Sequence, residues 1–219
     1  MAQFTRKQIN WNNLFFYQKA VVLDQLTFRF CARFLPKFGD RTVDQMVQAA
    51  RSGKQNIVEG LADDVTSSEL AIKLLNVARA SLKELLEDYL DYLRRRQLPL
   101  WDSSHPRYDA LLGFCRKSNA LEHYASMIEK GSDEELANLA ITLCHMTDCL
   151  MVKFIAGKER DFIENGGIKE RMTAARLGRR ESQNHEIARL KAENALLRQR
   201  VAALEAAAKA VSGCETRGC

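Results

Sequence analysis

Residues 186–211 read EIARLKAENALLRQRVAALEAAAKAV, a stretch whose apolar positions recur in alternating steps of three and four. Ile187, Leu190, Asn194, Leu197, Val201, Leu204, Ala208 and Val211 therefore lie on one stripe of a helix, with a single polar interruption. One helix cannot bury such a stripe against itself. A heptad seam of this kind is buried by pairing with a copy from another chain. The flanking charges agree with a parallel pair: Glu186 faces Lys191, Glu193 faces Arg198 and Arg200 faces Glu205 across the seam. Asn194 falls at an a position, where its own twin satisfies it best in a two-stranded parallel arrangement, at a cost in stability. The alternative is an amphipathic helix docked on its own domain, which needs no such charge complementarity. The Ala-rich positions Ala202, Ala203, Ala206 and Ala207 leave more than two helices open as well.

Working outward, the 219-residue chain is long enough for one ordinary domain plus this appendage. Three prolines, eleven glycines and abundant Ala, Leu, Glu, Lys and Arg predict an all-α protein. The net charge of +5 permits nucleic acid as a partner without demanding it. The start has no apolar run of signal-peptide length, so no export signal is expected. The most apolar stretch, 136–154, contains His145 and Asp148, so no bilayer span is expected either. Six cysteines without zinc-type spacing fit free thiols in a reducing, cytoplasmic compartment, with Cys214 and Cys219 on a frayed tail.

Helical periodicity predicts a first helix from about Asn12 to Leu35, stopped by Pro36 and Gly39. Its inner side carries Phe16, Ala20, Leu23, Phe30 and Phe34, broadened by Leu26 and Phe28. A second helix, capped by Asp40, presents Val43, Met46, Val47, Ala50, Gly53, Ile57 and Leu61 and ends near Gly60. Thr66 and Glu69 read as a capping box for a third, with Leu74, Leu75, Ala78, Leu82, Leu85, Tyr89 and Leu93 inward. The cations Arg94, Arg95 and Arg96 suit its C-terminus. Two short helices are expected near Tyr108–Phe114 and Leu121–Ile128. Ser132 and Glu135 then cap a long helix bearing Leu136, Leu139, Ala140, Leu143, Met146, Leu150 and Phe154. Four long amphipathic helices with short links among the first three predict an antiparallel four-helix bundle. Gly166-Gly167 breaks the helix, and 168–211 reads as nearly continuous helix. The expected organisation is a four-helix bundle at 1–165, a basic helical linker at 166–186, a parallel coiled-coil zipper at 187–211 and a disordered tail at 212–219.

Three stretches resemble a known family. Arg51–Gly60, RSGKQNIVEG, is similar to the signature that closes the second helix in the four-helix-bundle family of proteins encoded in intervening sequences of large-subunit ribosomal RNA; Ser52, Asn56, Ile57, Glu59 and Gly60 carry the match. Ala78–Leu85, ARASLKEL, resembles the family's small-residue, Ser-Leu, Glu-Leu pattern through Ser81 and Glu84. Phe162–Met172, FIENGGIKERM, resembles the subgroup with a four-helix-bundle suffix domain. Gly53 and Lys54 replace the family's Ile-Pro, and Asp63-Asp64 stand where many members are basic. The resemblance implies a four-helix bundle related to the accessory variability determinant of retroelements, a ring-like oligomer that binds a reverse transcriptase and nucleic acid.

No catalytic constellation emerges. Asn56, Glu59, Ser81 and Glu84 read as a hydrogen-bonded network that locks helix register, with a carboxylate site as the alternative. None of the four histidines follows a Glu by three residues, as a di-metal bundle requires. His145 with Cys149 and Cys144, and Cys115 with His123, read as a core histidine and buried thiols. No metal or cofactor is expected. The cations Lys169, Arg171, Arg176, Arg179 and Arg180 are more telling, because Lys169, Arg176 and Arg180 continue the seam upstream at d, d and a positions. Like charges at a shared axis predict a splayed cationic fork. Together with Arg51 and Lys54, these residues form the expected contact set for RNA or DNA phosphates. A base-reading role is disfavoured, because the segment lacks the Asn of basic-zipper proteins. Two functions follow as expectations: a non-enzymatic accessory protein contacting nucleic acid and a reverse transcriptase or similar polymerase, or a protein scaffold without nucleic acid.

Overall fold

The computed structural model describes residues 9–36, 41–64 and 66–215, with side chains in the last helix as far as residue 207. The described chain is all-α. A short 3-10 turn, Trp11–Asn13, precedes α1 (Phe15–Phe34), α2 (Thr42–Asp63), α3 (Ser68–Arg96), α4 (Tyr108–Lys117), α5 (Leu121–Lys130), α6 (Asp133–Asn165) and α7 (Ile168–Glu215). The chain divides into two compact units at Ile168 and Lys169, just past the Gly166-Gly167 break.

In the first unit, α1 packs on α2 and α6, and α3 packs on the same two helices. The pairings along each interface fix the helix directions. Gly53 meets Leu82 while Gly60 meets Ala71, so α2 and α3 run oppositely. Arg79 meets Asp148 while Tyr92 meets Asp133, so α3 and α6 do too. Across the core, Tyr89 Oη donates to Thr27 Oγ1 at 3.0 Å, and Arg96 reaches the Phe34 carbonyl, so α1 and α3 run the same way. The shared core holds Leu23, Leu26, Phe30, Met46, Ile57, Leu75, Leu85 and Tyr89, all fully buried. Phe30 sits at its centre, edge-on to Tyr89 and Tyr92 with ring centroids 5.0 and 4.8 Å away. Such aromatic pairs contribute about 0.5–1.5 kcal/mol each beyond burial.

Several local expectations are corrected. Phe28 is exposed, because it lies on the side of α1 away from the stripe that carries Leu23, Leu26 and Phe30. The N-cap of α3 is Ser67 rather than Thr66: its hydroxyl accepts from the Leu70 amide, while Thr66 Oγ1 donates to the Asp63 carbonyl. Two adjacent hydroxyl residues compete for that cap, and extended backbone at Ser67 decides it. Asp40 lies outside the described residues. Ser132 and Glu135 form the capping box in full, each side chain meeting the other's backbone. Helix α7 runs through to Glu215, so 212–215 are helical rather than disordered. Gly213 weakens that stretch, but no proline interrupts it.

Gln97, in the left-handed region at φ 55°, ends α3. Its amide bonds Arg94 O and the next amide bonds Leu93 O, a pattern usually built on glycine. The following loop is pinned by Asn138, 1% exposed, which accepts from Trp101 N at 2.7 Å and donates to the Pro99 and Glu134 carbonyls. By length and composition alone, the helical stretch 133–207 does contain a window apolar enough to cross a membrane. Within α6 the apolarity serves the core, where Leu136, Leu139, Ala140, Leu143, Met151 and Ile155 are buried.

Candidate nucleic-acid interface

Helix α7 forms for local reasons: it is rich in Ala, Leu, Glu, Lys and Arg, has no proline, and begins just after Gly166, whose φ of 65° ends α6. Arg189 binds both carboxylate oxygens of Glu186, at 2.8 and 3.1 Å, as an i,i+3 pair. From Lys169 to Ala207 no side chain is buried. The seam is accordingly bare: Ile187, Leu190, Leu197 and Val201 are each about half exposed and Leu204 is 70% exposed. Val211 and Ala208 lie where side chains are not described.

Along this seam the surface forms two successive depressions. Ile187, Leu190, Lys191, Asn194, Ala195 and Arg198 line one; Asn194, Leu197, Arg198, Val201, Ala202 and Glu205 line the next. Each takes in a, d, b and e positions of the heptad.

Upstream on the same helix, Lys169, Arg176, Arg179 and Arg180 are exposed, and none is in an ion pair among the described residues. Arg171, beside them, is only partly exposed, with its Nε buried. The segment 169–180 thus carries five cations against one carboxylate, Glu170. Its back-bonded hydroxyl, Thr173 Oγ1 to Lys169 O at 2.9 Å, leaves the helix unbroken.

The remaining expected cations belong to the other unit. Arg51 is exposed on α2. Lys54 is corrected: its ammonium is held by Asp24 of α1, with both side chains mostly buried, so its charge is neutralised between helices. Asp64 is likewise no surface acid. It is 3% exposed and pairs with Lys158 of α6, tying the end of α2 to α6.

The motif residues divide. Ser52 Oγ lies 3.1 Å from Ser81 Oγ, and Asn56 Nδ2 donates to the Ser52 carbonyl at 2.9 Å and hydroxyl at 3.1 Å, bridging α2 and α3. Gly60 allows close approach, since a β-carbon there would lie 3.1 Å from Ala71 O. Glu59 and Glu84 are exposed and stand outside this network, because their positions face away from the α2–α3 interface.

Thiol chemistry is suppressed by burial, which pushes Cys31 and Cys115 up to about 12 and raises Cys144 further. Such thiols are protonated at neutral pH and poor nucleophiles. His123 is taken up by Phe114, its ring 4.2 Å away and Nε2 3.0 Å from the Phe114 carbonyl. His145 and Cys149, expected in the core, are exposed; the turn of α6 places Cys144 and Thr147 inward instead. Among the described residues, no group of three or more His, Cys, Asp or Glu is placed to hold a metal ion. A groove of about 300 Å³ between α3 and α6 is lined by Arg79, Lys83, Glu87, His145 and Asp148, but its central Arg79 and Asp148 satisfy each other at 2.7 Å.

Sequence reading missed Lys19, 2% exposed, whose ammonium donates to the Cys115 carbonyl at 3.0 Å and docks α1 against α4. Burial lowers its pKa. The available signal was its position, three residues after Phe16 and four before Leu23 on the apolar face. Compared with protein-family models, with curated proteins and with solved structures, the chain matches none.

Proposed function

We propose that the chain is a non-enzymatic, homo-oligomeric accessory protein that binds RNA or DNA through phosphates and acts beside a reverse transcriptase or similar polymerase. In this reading the four long helices form an antiparallel four-helix bundle, α7 pairs in parallel as a coiled coil, and the setting is cytoplasmic. The supporting observation is the run of exposed, unpaired cations Lys169, Arg176, Arg179 and Arg180 on one helix. Arg171 belongs to the same segment, Arg51 is a separate candidate contact on the first unit, and Lys54 is now removed. The test is retention on RNA in low salt, followed by a salt titration. Affinity falls steeply with salt, and neutralising Arg176, Arg179 and Arg180 flattens the slope by roughly 0.7–0.9 for each phosphate that those side chains no longer neutralise. Absence of retention on RNA and DNA at low salt defeats the reading.

The second reading is a protein scaffold without nucleic acid. The bare seam of α7 favours it, because an exposed row of Leu, Ile and Val needs a protein surface rather than phosphates. Partners that persist after nuclease treatment, and that depend on Leu190 and Leu197, support the scaffold over the nucleic-acid reading.

A further inference from the structure

Helix α7 has no break between Ile168 and Glu215, so the heptad register of the apolar seam carries upstream unchanged. Seven residues before Ile187 stands Arg180, an a position; fourteen before Leu190 stands Arg176, a d position. The same side of the helix is therefore mostly apolar from Ile187 onward, and above it carries Gln183, Arg180, Arg176, Thr173 and Lys169 in turn. One chain presents these two guanidiniums as an ordinary solvated stripe. Two chains paired below would aim four of them at a common axis.

We propose that this is a two-chain phosphate site, complete only when a second copy of the chain is paired through α7, and that the nucleic-acid backbone closes it. The inference rests on the reading above and adds its regulation. The second copy is named as the occupant of the seam because the exposed Ile187, Leu190, Leu197, Val201 and Leu204 recur at heptad spacing, and because the flanking charges are complementary when the helix meets itself in parallel. Without a counter-anion, Arg176 and Arg180 repel their twins and the upper helices stay apart. Phosphates between the chains bring negative charge to that axis, and guanidinium forks bind them with two parallel hydrogen bonds. The paired state then holds nucleic acid more tightly than a single chain does. By thermodynamic reciprocity, nucleic acid strengthens pairing by the same factor.

This coupling has a distinctive sign. Removing the charges tightens pairing in the absence of ligand and abolishes its response to ligand. The experiment is sedimentation equilibrium of the full chain, alone and with a 20-nucleotide oligothymidylate, for the native protein and two double variants. For the native chain, the oligonucleotide lowers the dissociation constant of the pair by about tenfold or more, within the usual 5- to 150-fold range of coupled sites. Arg176→Gln with Arg180→Gln pairs several-fold more tightly than the native chain without oligonucleotide and gains nothing from its addition. Arg176→Lys with Arg180→Lys keeps both the repulsion and the response, excluding a mere change of helix stability. Helix content by circular dichroism stays level in all three, since both positions are exposed. Salt-sensitive oligonucleotide binding that leaves self-association unaltered overturns the inference and leaves the proposed function standing. Failure to bind the oligonucleotide overturns the inference, and absence of retention on both RNA and DNA at low salt overturns the proposed function with it.

Discussion

Helices α6 and α7 make the clearest contrast in the molecule. Both are long, both carry apolar residues at helical spacing, and both lack an internal proline. In α6 those residues are buried: Leu136, Leu139, Leu143 and Met151 face three other helices of the same chain. In α7 the same residue types stand about half exposed from Ile187 to Leu204. Periodicity therefore marks a face that needs burying without saying what buries it. The difference lies in the polar positions. Those of α6 are used within the chain, as Asn138 pins a loop and Asp148 takes Arg79. Those of α7 beside the seam carry both signs, Glu186, Glu193 and Glu205 with Lys191, Arg198 and Arg200, and are the charges that the proposed pairing uses.

The contrast can be broken most forcefully at Lys158. Lys158→Met removes the ammonium that pairs with buried Asp64, and urea unfolding of the full chain should lose up to about 5 kcal/mol. The proposed pairing of α7 should be untouched. A matched pair of truncations sharpens the comparison further. Leu139→Ala should cost about 2–5 kcal/mol at any protein concentration, because it opens a cavity in a core made by one chain. Leu197→Ala should leave that unfolding transition in place and weaken self-association, so its effect should appear only in concentration-dependent light scattering. Equal, concentration-independent losses from both variants would refute the distinction between the helices.

Gly53→Ala is expected to be smaller, about 1–3 kcal/mol, because the new methyl would lie 2.7 Å from Leu82 Cδ2 and 2.8 Å from Cγ. Gly178→Ala in α7 should instead stabilise its helix slightly, by up to about 1 kcal/mol, since nothing stands near that position. Thermal melts of the two variants should therefore shift in opposite directions.

The smallest effect concerns Lys19. Its folded pKa is lowered by burial, so between that value and the unfolded one, near 10.4, the unfolded chain binds more protons. Its contribution to stability consequently rises with pH through that window. Lys19→Met removes the buried charge, so the variant should match or exceed the native chain at pH 7 and lose that advantage as pH approaches 10. The buried thiols act oppositely: Cys31 and Cys115, raised to about 12, contribute stability below the unfolded thiol range that is lost as pH climbs through 12. Differences between variant and native chain at each pH isolate the lysine.

Local chemistry made much of the fold legible. The Ser132–Glu135 capping box, the Gly166 break, the two short helices and the apolar stripes of α2, α3 and α6 all depend on residues within a few positions of one another. Where two local solutions competed, as at Thr66 and Ser67, the pattern could not choose. Partnerships spanning long sequence separations were illegible: Asp24 with Lys54, Asp64 with Lys158, and Lys19 with Cys115. Lys54 read as a surface cation until packing supplied its mate.

By itself, the sequence determined that this chain is helical, where its long helices run, and that the positions from Ile187 to Leu204 share one stripe, broken in polarity only by Asn194. Helix formation, capping and heptad phase are set by neighbours within one or two turns, so they can be read along the chain. Tertiary structure alone decided that Lys54 and Asp64 are neutralised inside the first unit, that Ser52, Asn56 and Ser81 bridge α2 to α3 while Glu59 and Glu84 do not, and that Lys169, Arg176, Arg179 and Arg180 remain open. Charge is screened, paired or buried according to what lies across a helix interface, and no linear pattern carries that distance.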